Sequence, residues 1–313
     1  MKILCTGGNG YVGSALVPKL LSHNFKVKVL DAQWFGNFLP KNKNLKIINK
    51  DIRDINENDL RGIDIVIHLA NIANDPAAEL SPNLSWEINV LAAKKVMDLS
   101  VKAKIKQFIY ASSGSVYGVK REKNVLEESE LVPISLYNKT KMIAERLIMS
   151  YENFFKIHVV RPATICGYSP RMRLDLTVNL LTFQAFKNKK IFVLGGNQTR
   201  PNIHIDDMVS VYLHFINKPY LRSGFYNAGF ENLKILDIAK MIKNKIDCDI
   251  LIKKSNDIRS YRQDSSKLND TKFFPKYNVK DAINQLLTKF NNRELIEHPS
   301  CYTVSWMKKK KII

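Results

Sequence analysis

The chain has few acidic residues: 29 Asp and Glu stand against 49 Lys and Arg, a formal net charge of +20. Such an excess can attract nucleic acid, anionic membranes or phosphorylated small molecules. The lysines are spread along the chain, however, and no basic stripe carries the interleaved aromatic residues of a nucleic-acid groove. We therefore predict neither a nucleic-acid nor a membrane partner, and interpret the lysines at 308–311 as a solvated tail.

Cysteine is also scarce, and the four cysteines form no Cys-x-x-Cys pair and no metal-ligand spacing. We expect reduced thiols in a cytoplasmic protein and predict no metal site. No apolar run approaches the ~20 residues that span a bilayer. Met1 and Lys2 lead directly into a strand-like run, which is not the layout of a signal peptide.

What the first 165 residues do contain is an alternation of short β-branched runs with segments of helical periodicity. This pattern predicts right-handed βαβ units, and hence an α/β fold with a Rossmann-type, doubly wound parallel sheet. The predicted strands are Lys2–Thr6, Lys26–Asp31, Lys46–Asn49, Asp64–Ala70, Gln107–Ser112 and Ile157–Arg161. The predicted helices between them include Tyr11–Ser22, Leu84–Ala103 and Tyr137–Tyr151.

The regular alternation of strand and helix patterns ends after Arg161, where prolines and glycines divide the chain into shorter segments. We predict a nucleotide-binding domain over 1–166 and a smaller C-terminal substrate-binding lobe over 167–313. A segment at about 203–228 is expected to pack back on the first domain, because His204–Ile216 has a helical pattern. Two further helices are predicted at Leu174–Lys187 and Lys234–Lys245.

Three glycines at a spacing of three, Gly7, Gly10 and Gly13, follow the first strand and open the first helix. Such glycines allow a tight turn, close approach of the backbone to a pyrophosphate and close helix–strand packing. The helix N-terminus presents free N–H groups to the anion. The second strand then ends in Asp31, which can bind ribose hydroxyls and would repel a 2′-phosphate. This combination predicts NAD rather than NADP.

Tyr137 and Lys141 lie four residues apart and share one face of a predicted helix. A phenol with a pKa near ~10 is a poor base, but a neighbouring ammonium lowers that pKa. A cluster of hydroxyls at Ser112–Gly118 ends a buried strand. Ligands bind at the carboxyl ends of such strands, so a serine there could hydrogen-bond a substrate hydroxyl.

Taken together, these motifs resemble those of the extended short-chain dehydrogenases/reductases, and most closely the NAD-dependent epimerase/dehydratase group of nucleotide-sugar enzymes. The likeness extends to about residue 280. The motifs that carry it, in order, are the glycine loop, Asp31, Asp51-Ile52, His68-Leu69-Ala70, Asn89-Val90, Ser112–Gly118, Tyr137–Lys141 and Arg161-Pro162.

The resemblance implies a catalytic triad. Tyr137 would take a proton from a sugar hydroxyl, Lys141 would lower the pKa of the tyrosine and hold the nicotinamide ribose, and Ser113 would hydrogen-bond the same hydroxyl. A hydride would then pass from the sugar carbon, usually C4, to NAD. The resemblance also implies a homodimer through the helices that carry Tyr137 and Leu84–Ala103.

The resemblance further assigns binding residues. To the glycine loop, Asp31, Tyr137 and Lys141 it adds the cofactor contacts Tyr11, Val12, Asp51, Ile52, Leu69, Ala70 and Asn89. For a nucleotide-diphosphate sugar it implies Ser113, Ser115, Thr164, Asn179, Arg200, Arg259 and Tyr261. Which of Lys254, Arg259 and Arg262 would reach the diphosphate stays open. The stretch Ser169–Asp175 is more basic than the corresponding family loop and is a candidate to face the substrate.

Two departures narrow the expected reaction. Sugar 4,6-dehydratases carry an Asp-Glu pair where this chain has Gly114 and Ser115, which argues against dehydration. Arg161–Thr164 lacks the aromatic-Asn pair common in UDP-galactose 4-epimerases, which puts UDP-glucose/galactose specificity in doubt. We expect C4 oxidation, by a 4-epimerase or a 4-dehydrogenase, in the synthesis of a surface polysaccharide. A 4-keto-sugar reductase and a non-catalytic dinucleotide-binding regulator are the alternatives.

Overall fold

The computed structural model describes residues 1–120, 124–254 and 260–312. Its centre is a sheet of seven parallel strands. From one edge to the other these are β10 (Gly224–Ala228), β6 (Lys156–Pro162), β5 (Gln107–Ala111), β4 (Ile65–His68), β1 (Lys2–Thr6), β2 (Lys26–Asp31) and β3 (Leu45–Asn49). The strand order reverses between β1 and β4, where their loops diverge, and ligands bind at such a point in open α/β sheets.

Helices cover both faces of this sheet, because alternate strand residues point to opposite sides. Leu4 packs in a core with helices α5 and α6, whereas Ile3 packs in a second core with α1 and α8. The helices are α1 (Tyr11–Ser22), α2 (Glu57–Leu60), α3 (Asp75–Ala78), α4 (Pro82–Trp86), α5 (Ala92–Lys102), α6 (Leu136–Met149), α7 (Thr177–Asn188), α8 (Ile205–Asn217), α9 (Ile235–Lys243), α10 (Ser266–Asp270), α11 (Val279–Asn291) and α12 (Thr303–Lys309).

The second lobe is built on two small sheets beside α7, α9 and α11. One sheet has the order β11-β9-β7 and the other pairs β12 with β8. Their strands are β7 (Thr164–Cys166), β8 (Lys190–Leu194), β9 (Thr199–His204), β11 (Glu231–Lys234) and β12 (Asp249–Lys253). A separate apolar core of residues such as Val178, Ile191 and Ile238 fills this lobe. The sequence pattern did not predict these strands.

Between these lobe elements the chain returns to the large sheet. Helix α8 packs against α1, and β10 adds to the sheet edge beside β6. The six predicted strands and the predicted α/β class are confirmed, with boundaries within one residue except at the end of β4, which lies two residues earlier than predicted. The division of the chain at residue 166 stays a prediction. Within the described ranges, no helix combines the length and the hydrophobicity needed to cross a membrane.

Below the carboxyl end of β5, a buried ion pair ties α6 to β6. The Arg161 guanidinium donates to both carboxylate oxygens of Glu145, at 2.6 and 3.1 Å. Both side chains are at most 2% exposed. The Ser112 hydroxyl also donates to Glu145, at 2.7 Å, and Arg161 donates to the Tyr117 hydroxyl at 2.9 Å. The network therefore fixes the strand end that carries the predicted catalytic serine.

We predict that Glu145→Ala lowers the free energy of unfolding by about 3–5 kcal/mol, because it leaves the Arg161 charge buried without its partner. Urea unfolding measures this difference. Glu57→Ala is the matched control, since the Glu57–Lys102 pair is about two-thirds exposed and such exposed pairs contribute little to stability. Equal stabilities of the two variants would contradict the prediction.

Candidate active site

The glycine loop brings α1 against the ends of β1 and β4 more closely than any side chain would allow. A Cβ atom on Gly7 would lie 2.5 Å from the Ala70 nitrogen, and Gly7 has a φ of +72°. A Cβ atom on Gly13 would lie 2.6 Å from the Gly7 oxygen. These positions require glycine, which explains two members of the sequence motif.

Gly10 is the third member, and it borders a cleft at the carboxyl ends of the parallel strands. Its added Cβ atom would meet only the Gly7 oxygen, at 3.2 Å. Gly10 is the N-cap of α1, and no side chain of a described residue caps this helix end. The backbone N–H groups of Tyr11 and Val12, in the first turn, are therefore available to a ligand. An uncapped helix N-terminus beside a glycine cradle fits the diphosphate of a dinucleotide.

Asp31 ends β2 at the neighbouring part of the cleft, a cavity of about 120 Å³. Its two carboxylate oxygens accept backbone N–H groups from Asn9 at 2.9 Å and from Gln33 at 2.7 Å. Burial raises the pKa of Asp31, and the two hydrogen bonds oppose that rise. The carboxylate is thus held at a fixed place. The same cavity is lined by the predicted cofactor residues Asp51, Ile52, Leu69 and Ala70.

Asn89 lies behind the cleft wall rather than in it. It occupies a π-helical turn, Glu87–Leu91, that joins α4 to α5, and it is fully buried. Its side-chain oxygen accepts the Ile72 N–H at 2.9 Å, and its amide donates to the Thr140 hydroxyl at 3.1 Å. Asn89 therefore fixes the loop after β4, which does line the cleft, against α6.

The three predicted catalytic residues, Ser113, Tyr137 and Lys141, line one cleft of about 440 Å³ together with the glycine loop. Ser113 follows β5, and its hydroxyl lies 2.8 Å from that of Ser115. Lys141 lies one turn after Tyr137 on α6. The Lys141 ammonium donates to the Ala111 carbonyl at 2.5 Å and lies 5.9 Å from the centre of the Tyr137 ring.

Burial shifts the pKa values of the two α6 residues in opposite directions. It raises the pKa of Tyr137 to about 12, with a further increase from the Asp75 charge, while the Ser113 hydrogen bond and Arg173 lower it. Burial lowers the pKa of Lys141 to about 7, and the Glu145 charge opposes this. The phenol therefore holds its proton, and the lysine is able to change its charge near neutral pH. Such a pair can store and relay one proton.

Besides Ser113, four of the predicted substrate residues line the same cleft: Ser115, Thr164, Arg200 and Tyr261. Asn179 is elsewhere and fully buried. Its oxygen accepts the Gly167 N–H at 2.9 Å, and its amide donates to the Tyr11 hydroxyl at 3.1 Å. Asn179 thus joins the lobe to α1 without lining the cleft.

The three basic residues considered for the diphosphate do not line the described cleft. Lys254 and Arg262 are exposed and lie outside its lining. Arg259 lies outside the described residues. Besides Lys141 and Arg200, the positive charge facing the cleft comes from the basic stretch after β7, where Arg171 and Arg173 are both part of the wall.

Sequence reasoning missed the contribution of the C-terminal helix. Thr303 and Met307 of α12 line the cleft, although the likeness to the family ended near residue 280. The Trp306 indole donates to the Trp34 carbonyl, at 2.7 Å, which fixes α12 beside the loop after β2. The Lys308–Lys311 side chains are exposed as expected, but the first two belong to this helix. A local pattern could have predicted the helix but not where it packs.

Comparison with known proteins agrees with this geometry. Residues 3–229 match the model of the NAD dependent epimerase/dehydratase family. An uncharacterized UDP-glucose epimerase of Bacillus subtilis is 31% identical over 78% of this chain and 82% of that protein. A dTDP-D-glucose 4,6-dehydratase of Dictyostelium discoideum is 31% identical over 78% of this chain and 62% of its own length.

Solved structures are also similar. UDP-glucuronic acid 4-epimerase from Bacillus cereus, in complex with UDP-glucuronic acid and NAD, is 26% identical. It superposes with a TM-score of 0.83 over 94% of this chain and all of the other.

We predict that Asp31→Ala narrows the preference for NAD over NADP by roughly tenfold or more, because it removes both the ribose acceptor and the repulsion of a 2′-phosphate. Titration of both dinucleotides, followed by tryptophan fluorescence, measures the ratio of Kd values. The exposed Asp54→Ala variant is the control and should leave the ratio unchanged. A wild-type ratio in Asp31→Ala would contradict the role of Asp31.

Proposed function

Because the chain belongs to the NAD-dependent epimerase/dehydratase family, we propose that it oxidises a nucleotide-diphosphate sugar at C4, as a 4-epimerase or a 4-dehydrogenase. The protein is an enzyme and its cofactor is NAD. The observation that carries the proposal is that Ser113, Tyr137 and Lys141 line one cleft with the glycine loop.

Residues that the second lobe contributes to this cleft support a sugar nucleotide as substrate. Arg200 and Tyr261 come from the second lobe and line the cleft with Thr164. A guanidinium binds phosphate oxygens through paired donors, and a tyrosine ring can pack against a base or sugar. The similar Bacillus cereus structure holds UDP-glucuronic acid and NAD.

In the proposed reaction the sugar hydroxyl lies beside Ser113 and Tyr137. NAD, when bound, supplies a hydride acceptor. Tyr137 must enter this step as the phenolate. Burial disfavours that form, and the charged form of Lys141, fixed by the Ala111 carbonyl, favours it. The Oη atom of the phenolate then takes the hydroxyl proton, and Ser113 orients the same hydroxyl. The backbone N–H groups of α1 bind the cofactor diphosphate and orient it.

The site favours C4 oxidation without elimination of water. A dehydratase needs an acid to expel the leaving hydroxyl, and the two positions after Ser113 are Gly114 and Ser115. A side chain at position 114 would be tightly confined, because its Cβ atom would lie 3.1 Å from the Pro162 oxygen. Ser115 offers only a hydroxyl, which bonds with that of Ser113.

The proposal is tested with purified protein and a panel of UDP, GDP, CDP and dTDP sugars. We expect at least one sugar to be converted, since the catalytic residues are complete. Mass spectrometry and chromatography identify an epimer or a 4-keto sugar, and absorbance at 340 nm shows whether NADH accumulates. An epimer without NADH indicates a 4-epimerase. Stoichiometric NADH indicates a 4-dehydrogenase, and consumption of NADH with a 4-keto sugar indicates the reductase.

Tyr137→Phe is the control variant. It should bind NAD as the wild type does and lose turnover by roughly 10²-fold or more, because a phenyl ring cannot take the proton. Undiminished turnover in Tyr137→Phe would contradict the proposed base. Binding of NAD without conversion of any sugar in the panel would contradict the proposed C4 oxidation of these nucleotide sugars.

A further inference from the structure

Arg171 is a buried arginine in the cleft wall whose donors are largely unused. The side chain is 3% exposed. Its Nη2 atom donates to the Thr303 hydroxyl at 3.2 Å. The Nε and Nη1 atoms have no hydrogen-bond partner among the described residues. Buried guanidinium groups normally have partners for their donors, so these atoms call for an explanation.

Among the described residues, no carboxylate forms an ion pair with Arg171. The Asp175 charge acts on Arg171, but both oxygens of Asp175 accept from Arg173, at 2.9 and 3.1 Å. Burial and the like charge of Arg173 lower the pKa of Arg171 to about 9. A buried cation with neither a paired anion nor a full set of acceptors destabilises the protein. A bound anion would remove this penalty.

The position of Arg171 indicates which anion would bind to it. Its backbone N–H donates to the Ser14 hydroxyl of α1 at 3.1 Å. Two residues earlier, the Ser169 hydroxyl donates to the Tyr11 carbonyl at 2.6 Å. The loop that carries Arg171 is therefore attached to the first two turns of α1, whose N-terminus borders the cleft.

Contact with Phe35 places the Arg171 guanidinium beside the part of the cleft predicted to hold the cofactor. The guanidinium carbon lies 3.9 Å from the centre of the Phe35 ring. Phe35 also lines the cavity that contains Asp31, at the adenosine end predicted for NAD. Arg171 itself lines the larger cleft rather than this cavity, but Phe35 lines both, so the guanidinium lies where the two meet.

We propose that Arg171 binds the diphosphate of NAD, supplying from the second lobe a cation opposite the N-terminus of α1. The diphosphate would then be held from two sides, by backbone N–H groups of the first domain and by the Arg171 donors. The Thr303 hydroxyl of α12 holds the guanidinium in place. The inference concerns the cofactor, so it does not depend on which sugar is converted.

The test replaces Arg171 with Met, which keeps much of the apolar volume and removes charge and donors. Isothermal titration measures the Kd for three ligands: NAD, ADP-ribose and UDP. NAD and ADP-ribose share the dinucleotide diphosphate, whereas UDP carries the diphosphate of a sugar nucleotide. We expect Arg171→Met to weaken the binding of NAD and of ADP-ribose alike, by roughly ten- to a hundredfold. The binding of UDP should weaken by less than about twofold.

Two further variants interpret the result. Arg171→Lys retains the charge without the forked donors. Its Kd values for NAD and ADP-ribose should lie between those of the wild type and Arg171→Met. Arg61→Met removes an exposed arginine and should leave all three Kd values unchanged. Thermal unfolding without ligand separates binding from folding: Arg171→Met should melt at or above the wild-type temperature, because it removes a buried unpaired charge.

The stabilisation by saturating NAD should be smaller in Arg171→Met than in the wild type. Unchanged affinity for NAD and ADP-ribose would overturn the proposal. A loss of affinity confined to UDP would also overturn it, because that result would assign Arg171 to the binding of the sugar nucleotide. A fall in the melting temperature without ligand, with unchanged ligand stabilisation, would show that Arg171 serves only the fold.

Discussion

The close approach of α1 to the ends of β1 and β4 is the constraint on which the rest of the site depends. It is possible only because Gly7 and Gly13 have no side chains; a Cβ atom on either would lie within 2.6 Å of backbone. The approach sets the uncapped N-terminus of α1 at the cleft. It also places the Tyr11 hydroxyl so that it donates to the Gly167 carbonyl at 2.6 Å and accepts from Asn179. One local constraint therefore positions both the cofactor cradle and the lobe that faces it.

The cleft wall holds more buried positive charge than neighbouring carboxylates neutralise. Most of the +20 net charge is carried by side chains at the surface, but Lys141 and Arg171 are 3% exposed. The carboxylate nearest to Lys141, Glu145, is shared with Arg161, and Asp175 is taken by Arg173. The cleft wall thus holds cations that internal carboxylates do not fully neutralise. Ligands with diphosphate groups suit such a wall.

The sequence could predict six of the seven strands of the large sheet, and that Ser113, Tyr137 and Lys141 meet in one cleft, because the signals are local. The glycine spacing, Asp31 at a strand end and the i, i+4 pair of Tyr137 and Lys141 each depend on a few neighbouring residues. Asn179 shows the limit: an asparagine near a helix start matches a family position, yet its amide is used by Tyr11, a contact across 168 positions. Thr303 joins the cleft by equally long-range packing, which no local pattern encodes.

The central claim is that a C4 hydride leaves the sugar within this cleft, and deuterium at C4 tests it most directly. The converted sugar identified from the panel would be prepared with deuterium at C4 and incubated with the enzyme in ordinary water. We predict that turnover is slowed and that the deuterium stays on C4 of the epimer or is recovered in the reduced cofactor. Exchange of the C4 deuterium with water, or inversion at another carbon at an unchanged rate, would contradict the account.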